Sequence, residues 1–192
     1  MQITITGKLG SGKSTVCKLI AEKYGYEIFS TGAIQREVAK ELGITPLELN
    51  IRMKQDRSLD DRLDSTVTRL SLERKGDKLI FDSRMAWHFA TDVFKIFVTV
   101  DPMTAAERVM ANPRPEEPYD SVEDACSGLI ERSREEQARF LSMYGVDYYD
   151  FKNHNLVIDS THRTPEEIVD IVWEAFEAYC QDPVANAHRE YL

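Results

Sequence analysis

The N-terminal part of the chain alternates between short apolar stretches and a glycine-rich turn. Ile3 and Ile5 alternate with threonines, which predicts a strand, and the glycines follow at once. Residues 14–24 place apolar side chains on one helical face, Gly25 ends that helix, and residues 26–29 predict a second strand. Strand, glycine turn, helix and strand in this order form a βαβ unit, which indicates a parallel sheet.

The rest of the chain alternates between helical periodicity and short apolar runs. Three further strands are predicted at residues 78–82, 93–101 and 155–158. Helices are predicted at residues 32–42, 45–55, 57–75, 102–110, 121–144 and 164–179. Thr45 and Thr164 each precede a proline and stand three residues before a glutamate, which is the pattern of a capping box. The residues after Cys180 are predicted to form a loose tail.

The glycine-rich turn carries the strongest chemical signal. Residues 7–14 match the pattern G-x-x-x-x-G-K-[ST], in which backbone N–H groups converge on phosphate oxygens at the start of a helix. We expect Lys13 to reach the outer phosphates and the Ser14 hydroxyl to face Mg²⁺. A chance match in a glycine-containing turn is the alternative, but the preceding strand and following helix are the context that the motif requires.

The motif and its setting predict an α/β fold, a P-loop three-layer α/β/α sandwich with a five-stranded parallel sheet. Helical excursions are expected before the third strand and after the fourth. ATP is the expected ligand and Mg²⁺ the expected cofactor, held by Ser14 and Asp82. The residues predicted to bind ATP are Gly7, Lys8, Leu9, Gly10, Ser11, Gly12, Lys13, Ser14 and Thr15.

Asp82 and Arg84 come directly after the third predicted strand. The carboxyl edge of a parallel sheet is where open α/β folds bind ligands, so Asp82 is expected to position Mg²⁺ through its water shell. A guanidinium at Arg84 would bind a phosphate or a pyrimidine edge with two hydrogen bonds. The alternatives are an acid that caps the following turn and an arginine exposed to solvent.

Two further segments carry side chains suited to a second substrate. Thr31 and Arg36 lie in a turn and helix start beyond the second strand, on the side from which an acceptor must approach the phosphates. Arg132 and Arg139 are seven residues apart, so both point the same way from one helix. Arginines around a moving phosphoryl group stabilise its charge, whereas a salt-bridged helix face is the competing interpretation. Trp87 would line a nucleoside pocket or fill the core.

Composition narrows the class of partner. The chain has 192 residues and a formal net charge of −9, which argues against general binding to nucleic acid or to an anionic membrane. Three scattered cysteines form neither a disulfide framework nor a zinc motif. No signal peptide or long apolar run is evident, so a reduced cytoplasmic setting and small nucleotide substrates are expected. We expect a monomer or a weak dimer.

These segments together resemble the cytidylate kinases, and the short archaeal-type branch most closely. The resemblance covers residues 1 to 180 and rests on the glycine-rich loop and three later stretches. Those stretches are residues 30–36, residues 81–87 (FDSRMAW) and residues 130–147, which include IERSREEQARF. The glycine-rich loop is specific only for the superfamily of P-loop proteins. The later stretches match the cytidylate kinases more loosely, but they are more specific for that family. Lys8 departs from the family, which usually has proline there, and residues 34–36 differ from the longer bacterial members.

The resemblance implies transfer of a phosphoryl group from ATP to CMP or dCMP, with Mg²⁺. It implies one kinase domain over residues 1–180, an acceptor-binding helical segment at about 31–76, a lid at about 111–139 and a tail at 181–192. In that comparison Thr31, Arg36 and Arg84 hold the acceptor, and the catalytic set is Lys13, Asp82, Arg132 and Arg139. The loop 160–163 would lie near the adenine of ATP. Two alternatives stay open: a kinase for another nucleotide or an alcohol, and a nucleotide-binding regulator without turnover.

Overall fold

The computed structural model describes residues 1–113 and 118–192, and within them six parallel strands form one sheet in the order β2-β3-β1-β4-β5-β6. The strands are β1 (Gln2–Gly7), β2 (Glu27–Ser30), β3 (Leu79–Asp82), β4 (Val93–Thr99), β5 (Leu156–Asp159) and β6 (Arg189–Tyr191). The helices are α1 (Lys13–Tyr24), α2 (Thr31–Glu41), α3 (Pro46–Met53), α4 (Ser58–Glu73), α5 (Ala86–Phe89), α6 (Pro102–Ala111), α7 (Val122–Tyr144) and α8 (Pro165–Gln181). A short 3₁₀ helix, Phe151–Asn153, precedes β5.

The predicted fold class is confirmed, but the predicted number of strands is wrong. The segment expected to be a loose tail contributes β6, whose Arg189 lies opposite Leu156 of β5. The Arg189 N–H donates to the carbonyl of Asn155 at 2.9 Å, and the Asn155 side chain donates to the carbonyl of Ala187 at 2.9 Å. A strand of three residues is too short to show a period, so only its pairing with β5 defines it.

Both faces of the sheet are buried, as a parallel sheet requires. On one face Ile3, Ile5 and Phe94 pack with apolar residues of α1 and α8. On the other face Phe97 packs in a cluster with Trp87. All six residues of β1 are buried, including its threonines. The alternation of isoleucine and threonine in the sequence therefore does not mark an exposed face of this strand.

The helix starts follow the capping signals in the sequence. Thr45 and Thr164 each form a complete capping box, so both predicted helix starts are confirmed. Helices α2, α3 and α4 lie between β2 and β3, and α6 and α7 lie between β4 and β5, where the two helical excursions were expected.

This connectivity brings the carboxyl ends of five strands to one edge of the sheet. Gly7, Ser30, Asp82, Thr99 and Asp159 end β1 to β5, respectively. Because all these strands are parallel, the loops that follow them, and the helical excursions that those loops start, meet above a single edge.

Candidate active site

A cavity of about 570 Å³ opens at the carboxyl edge of the sheet. The glycine-rich loop and the start of α1 form its floor, and side chains of α2, α4, α6 and α7 form its walls. Among the predicted site residues, those that line the cavity are Leu9, Gly10, Ser11, Gly12, Lys13, Ser14, Thr15, Thr31, Arg36, Asp82, Arg84, Arg132 and Arg139. Residues more than a hundred positions apart in the chain therefore share one space.

The glycine-rich loop depends on backbone conformations that side chains disfavour. Gly7, Gly10 and Gly12 have φ angles of +143°, +72° and +82°. A Cβ atom on Gly7 would lie 2.0 Å from the carbonyl oxygen of Val98, so β1 and β4 approach too closely there for any other residue. The loop then turns directly into α1, whose N-terminal N–H groups face the cavity.

Lys13 is buried at the base of this loop, with 7% of its surface exposed. Its ammonium group donates hydrogen bonds to the carbonyl of Lys8 and to Ser11 Oγ, the latter at 3.3 Å. Burial is the largest influence on its charge and, with the nearby guanidinium of Arg84, lowers the pKa of Lys13 to about 7, although Asp82 opposes the shift. An anion in the loop would favour the charged form of Lys13.

Asp82 joins the loop to the neighbouring strand ends. Its Oδ2 accepts hydrogen bonds from Ser14 Oγ at 3.2 Å and from Ser30 Oγ at 3.1 Å. One carboxylate and two hydroxyl groups are hard oxygen donors, which is the chemistry that Mg²⁺ prefers, especially beside phosphates. Ser14 and Asp82 therefore fit the metal role predicted for them.

Glu136 of α7 holds two of the predicted arginines together. Its Oε2 accepts from Nε of Arg84 at 2.9 Å, and its Oε1 accepts from Nε of Arg132 at 3.0 Å. Burial disfavours its charge, but Arg84 and Arg132 outweigh burial and lower the pKa of Glu136 to about 2. A carboxylate thus occupies, between two guanidinium groups, a position suited to a phosphate.

Arg139 is held deeper in the same cavity. Its guanidinium donates to a carboxylate oxygen of Asp60 and to Oδ1 of Asn50 at 3.2 Å. Its Cζ also lies 4.5 Å from the ring centroid of Phe140, a cation–π contact. These contacts attach the second half of α7 to α3 and α4, so in this structure the predicted lid helix and the acceptor segment touch.

The sequence did not point to Arg108 of α6, which lies at the other end of the cavity. Its guanidinium donates to Ser160 Oγ at 3.0 Å and to the carbonyl of Ser160 at 2.6 Å. It therefore braces the loop expected near the adenine of ATP, and Arg163 of that loop lines the same cavity. A single arginine on an amphipathic helix belongs to no sequence motif. Its role is visible only in the fold, where the pairing of β4 with β5 brings Arg108 next to Ser160.

Several predicted side chains lie elsewhere. The backbone of Gly7 and the side chain of Lys8 do not line this cavity, and Lys8 Nζ instead donates to the carbonyl of Val100 at 3.4 Å. Trp87 is only 5% exposed and packs in the core, so the core interpretation of that residue is confirmed. Within the predicted lid, residues 114–117 lie outside the described residues.

Comparison with known proteins identifies close similarities over most of the chain. The model of the cytidylate kinase-like family matches residues 2–162. A cytidylate kinase of Methanosarcina mazei is 33% identical over 181 residues, which cover 93% of this chain and 97% of that protein. An S-adenosylmethionine-dependent nucleotide dehydratase of Lacinutrix mariniflava is 31% identical over 191 residues, which cover 97% of this chain but 39% of that protein.

A solved structure supports the same fold. Shikimate kinase from Bacteroides thetaiotaomicron superimposes with a TM-score of 0.61 at 14% identity, covering 92% of this chain and 98% of that one. At that identity the likeness concerns architecture alone. In the parts of the chain that the structure describes, no helix combines the length and apolar character needed to cross a membrane.

Proposed function

The chain belongs to the cytidylate kinase-like family, which makes it an ATP-dependent nucleoside-monophosphate kinase, and we propose that its acceptor is CMP or dCMP. One observation supports this proposal most strongly. The phosphate-binding loop shares a single cavity with four arginines from distant segments, Arg36, Arg84, Arg132 and Arg139. A site that joins two phosphorylated substrates needs this convergence of positive charge.

In the proposed complex the triphosphate of ATP lies on residues 9–15. Backbone N–H groups of the loop and of the first turn of α1 bind its oxygens. Lys13 leaves its contacts with Lys8 and Ser11 and places its charge between the outer phosphates. Ser14 and Asp82 would hold Mg²⁺, which supplies further positive charge at the phosphates.

The acceptor is proposed to bind between α2, the end of β3 and α7. Arg36 and Arg84 bind its phosphate, and Thr31 contributes a hydroxyl beside them. For this to occur the acceptor phosphate displaces the carboxylate of Glu136 from Arg84, exchanging one anion for another. Arg132, which also contacts Glu136, would direct its charge toward the phosphoryl group that is transferred.

For phosphoryl transfer the protein has mainly to position the two substrates and to stabilise negative charge. An oxygen of the acceptor phosphate is already a nucleophile, so no strong general base is required, and Asp82 helps to orient the reacting groups. Lys13 and Arg132 spread the negative charge of the transition state. Arg139, which was expected to join them, is held by Asp60 and Asn50. Closure of the cavity keeps out water, which would otherwise accept the phosphoryl group.

A panel of acceptors tests the proposal. ADP release is measured with CMP, dCMP, UMP, AMP and an unrelated non-nucleotide alcohol such as shikimate, at fixed ATP and Mg²⁺. We expect the highest kcat/KM with CMP or dCMP. Transfer to an alcohol with none to CMP would replace this proposal with a small-molecule kinase. Nucleotide binding without any acceptor-dependent release would indicate a regulator.

A further inference from the structure

Two carboxylates lie in the cavity on the face of α4. Asp60 and Asp64 are four residues apart, so they stand one helical turn apart on the same face, and both line the cavity. Asp60 is 3% exposed and is paired with Arg139, and Asp64 accepts a hydrogen bond from the hydroxyl of Tyr144. Burial keeps the pKa of each above that of a free aspartate, and that of Asp64 is about 6.

The cavity is therefore polarised. The loop, α2 and the segment after β3 contribute Lys13, Arg36 and Arg84, beside the carboxylates of Asp82 and Glu136, whereas α4 contributes two acids and no cation. A nucleoside monophosphate has a matching asymmetry, with an anionic phosphate at one end and a base at the other. When the phosphate binds the cations, the base is the part of the acceptor left to face Asp60 and Asp64.

The acidic pair retains hydrogen-bonding capacity toward a ligand. The recorded bonds to Arg139 and Tyr144 use one oxygen of each carboxylate, and a carboxylate has about four acceptor positions. Arg139 is 5% exposed, and its Nε has no hydrogen-bond partner among the residues that the structure describes. A buried donor in this state indicates a missing partner, and Arg139 lines the cavity that would supply it.

We propose that Asp60 and Asp64 select an acceptor base that carries an exocyclic amino group, the cytosine of CMP or dCMP. This inference rests on the proposed function and adds the residues that choose the base. The two N–H bonds of the amino group donate to the two carboxylates. The adjacent ring nitrogen, which has a lone pair and no hydrogen, accepts from Nε of Arg139.

Uracil does not fit this arrangement. It has a carbonyl oxygen in place of the amino group, and that oxygen would face two carboxylates with no hydrogen to share. Sites built around a hydrogen bond reject analogues that lack it strongly, because buried polar groups of the site are left unpaired. We therefore expect UMP to be at least about 10²-fold poorer than CMP in kcat/KM.

The first test varies the ligand and needs no altered protein. The kcat/KM values of CMP, UMP and the monophosphate of pyrimidin-2-one riboside, which lacks the amino group altogether, are compared at pH 8. At that pH Asp64 is charged, because its pKa is about 6. UMP should be at least about 10²-fold poorer than CMP, and the pyrimidinone nucleotide at least about tenfold poorer. Equal use of CMP and the pyrimidinone nucleotide would overturn the inference.

The second test varies Asp64 and uses its neighbour Asp61 as the control. In Asp64→Asn an amide can donate to the uracil oxygen, so the CMP-to-UMP ratio of kcat/KM should fall at least about tenfold. Asp61→Asn, at an exposed residue of the same helix that does not line the cavity, should leave the ratio unchanged. Thermal melts establish that both variants fold. An unchanged ratio in folded Asp64→Asn would contradict base selection by Asp64 without contradicting the kinase proposal. If the unaltered protein used no nucleotide acceptor, the kinase proposal itself would be contradicted.

Discussion

Nε of Arg84 lies 2.9 Å from Oε2 of Glu136, although the two residues are 52 positions apart in the chain. The contact joins the carboxyl edge of β3 to the middle of α7. It places an internal anion at the centre of an arginine cluster, and the proposed function requires an external anion, the acceptor phosphate, to replace it.

The first prediction concerns Glu136 itself. Glu136→Gln should lower the free energy of unfolding by about 3 kcal/mol, because it removes the buried carboxylate that pairs with both Arg84 and Arg132. Inorganic phosphate should restore part of this loss, so its thermal shift should be larger in the variant than in the unaltered protein. Glu135→Gln is the matched control, since Glu135 forms a more exposed pair with Lys54 and should change stability by less than about 1 kcal/mol. Equal stability of the two variants would contradict the account.

The second prediction separates turnover from binding. Arg132→Ala should lower kcat by about 10²-fold and raise the KM for the acceptor much less, because its charge is proposed to act on the transferred group. Arg134→Ala is the control, since Arg134 is an exposed arginine on the same helix that does not line the cavity. A large rise in KM with kcat preserved would move Arg132 from the reacting group to the acceptor pocket.

The third prediction concerns a glycine that no other residue can replace. Gly7→Ala should destabilise the protein by about 3 kcal/mol, combining a strained φ with a clash against the carbonyl of Val98. Gly12→Ala has a similarly unfavourable φ but meets no atom within 4 Å, so it should cost about 1 kcal/mol. Chemical denaturation of both variants gives the difference, and equal losses would show that the clash at Gly7 is relieved.

The fourth prediction is a pH dependence of stability. His154 is 2% exposed, and burial lowers its pKa to about 4 from the usual 6.5 of histidine. The folded state therefore favours the neutral ring, so its stabilising effect is complete above pH 6.5 and is lost as the pH falls from 6.5 toward 4. A shift of this size corresponds to about 3 kcal/mol. His154→Gln, which cannot gain a proton, should lack this part of the decline, and an identical acid profile would refute the role of His154.

Much of the fold could be predicted because local signals agreed with the global arrangement. The capping boxes at Thr45 and Thr164 and the glycine at position 7 each mark a boundary that the structure keeps. Strand β6 could not be predicted, because its three residues are held by pairing with β5 and not by any pattern of their own.

The parts of the site that a sequence motif defines were predictable. The parts that depend on contacts between distant segments were not. The loop that contains Lys13 and Ser14 follows from its spacing, and the convergence of Arg84, Arg132 and Arg139 follows from the parallel sheet and one helix face. The acids that hold these arginines depend on contacts across the fold. A salt-bridged helix face was the competing interpretation of Arg132 and Arg139. Arg132 does pair with Glu136, but this glutamate is buried and lines the cavity.

Transfer of a phosphoryl group from ATP to a nucleoside monophosphate is the central claim, and product analysis tests it most directly. ATP labelled in its terminal phosphate is incubated with CMP and Mg²⁺, and the nucleotides are separated. The label should appear in CDP, and Lys13→Ala, whose fold should be intact, should form CDP at least about 10²-fold more slowly. Lys23→Ala, which alters an exposed lysine of the same helix, should behave as the unaltered protein. Label that appears only in inorganic phosphate, or CDP formed at an undiminished rate without Lys13, would contradict the account.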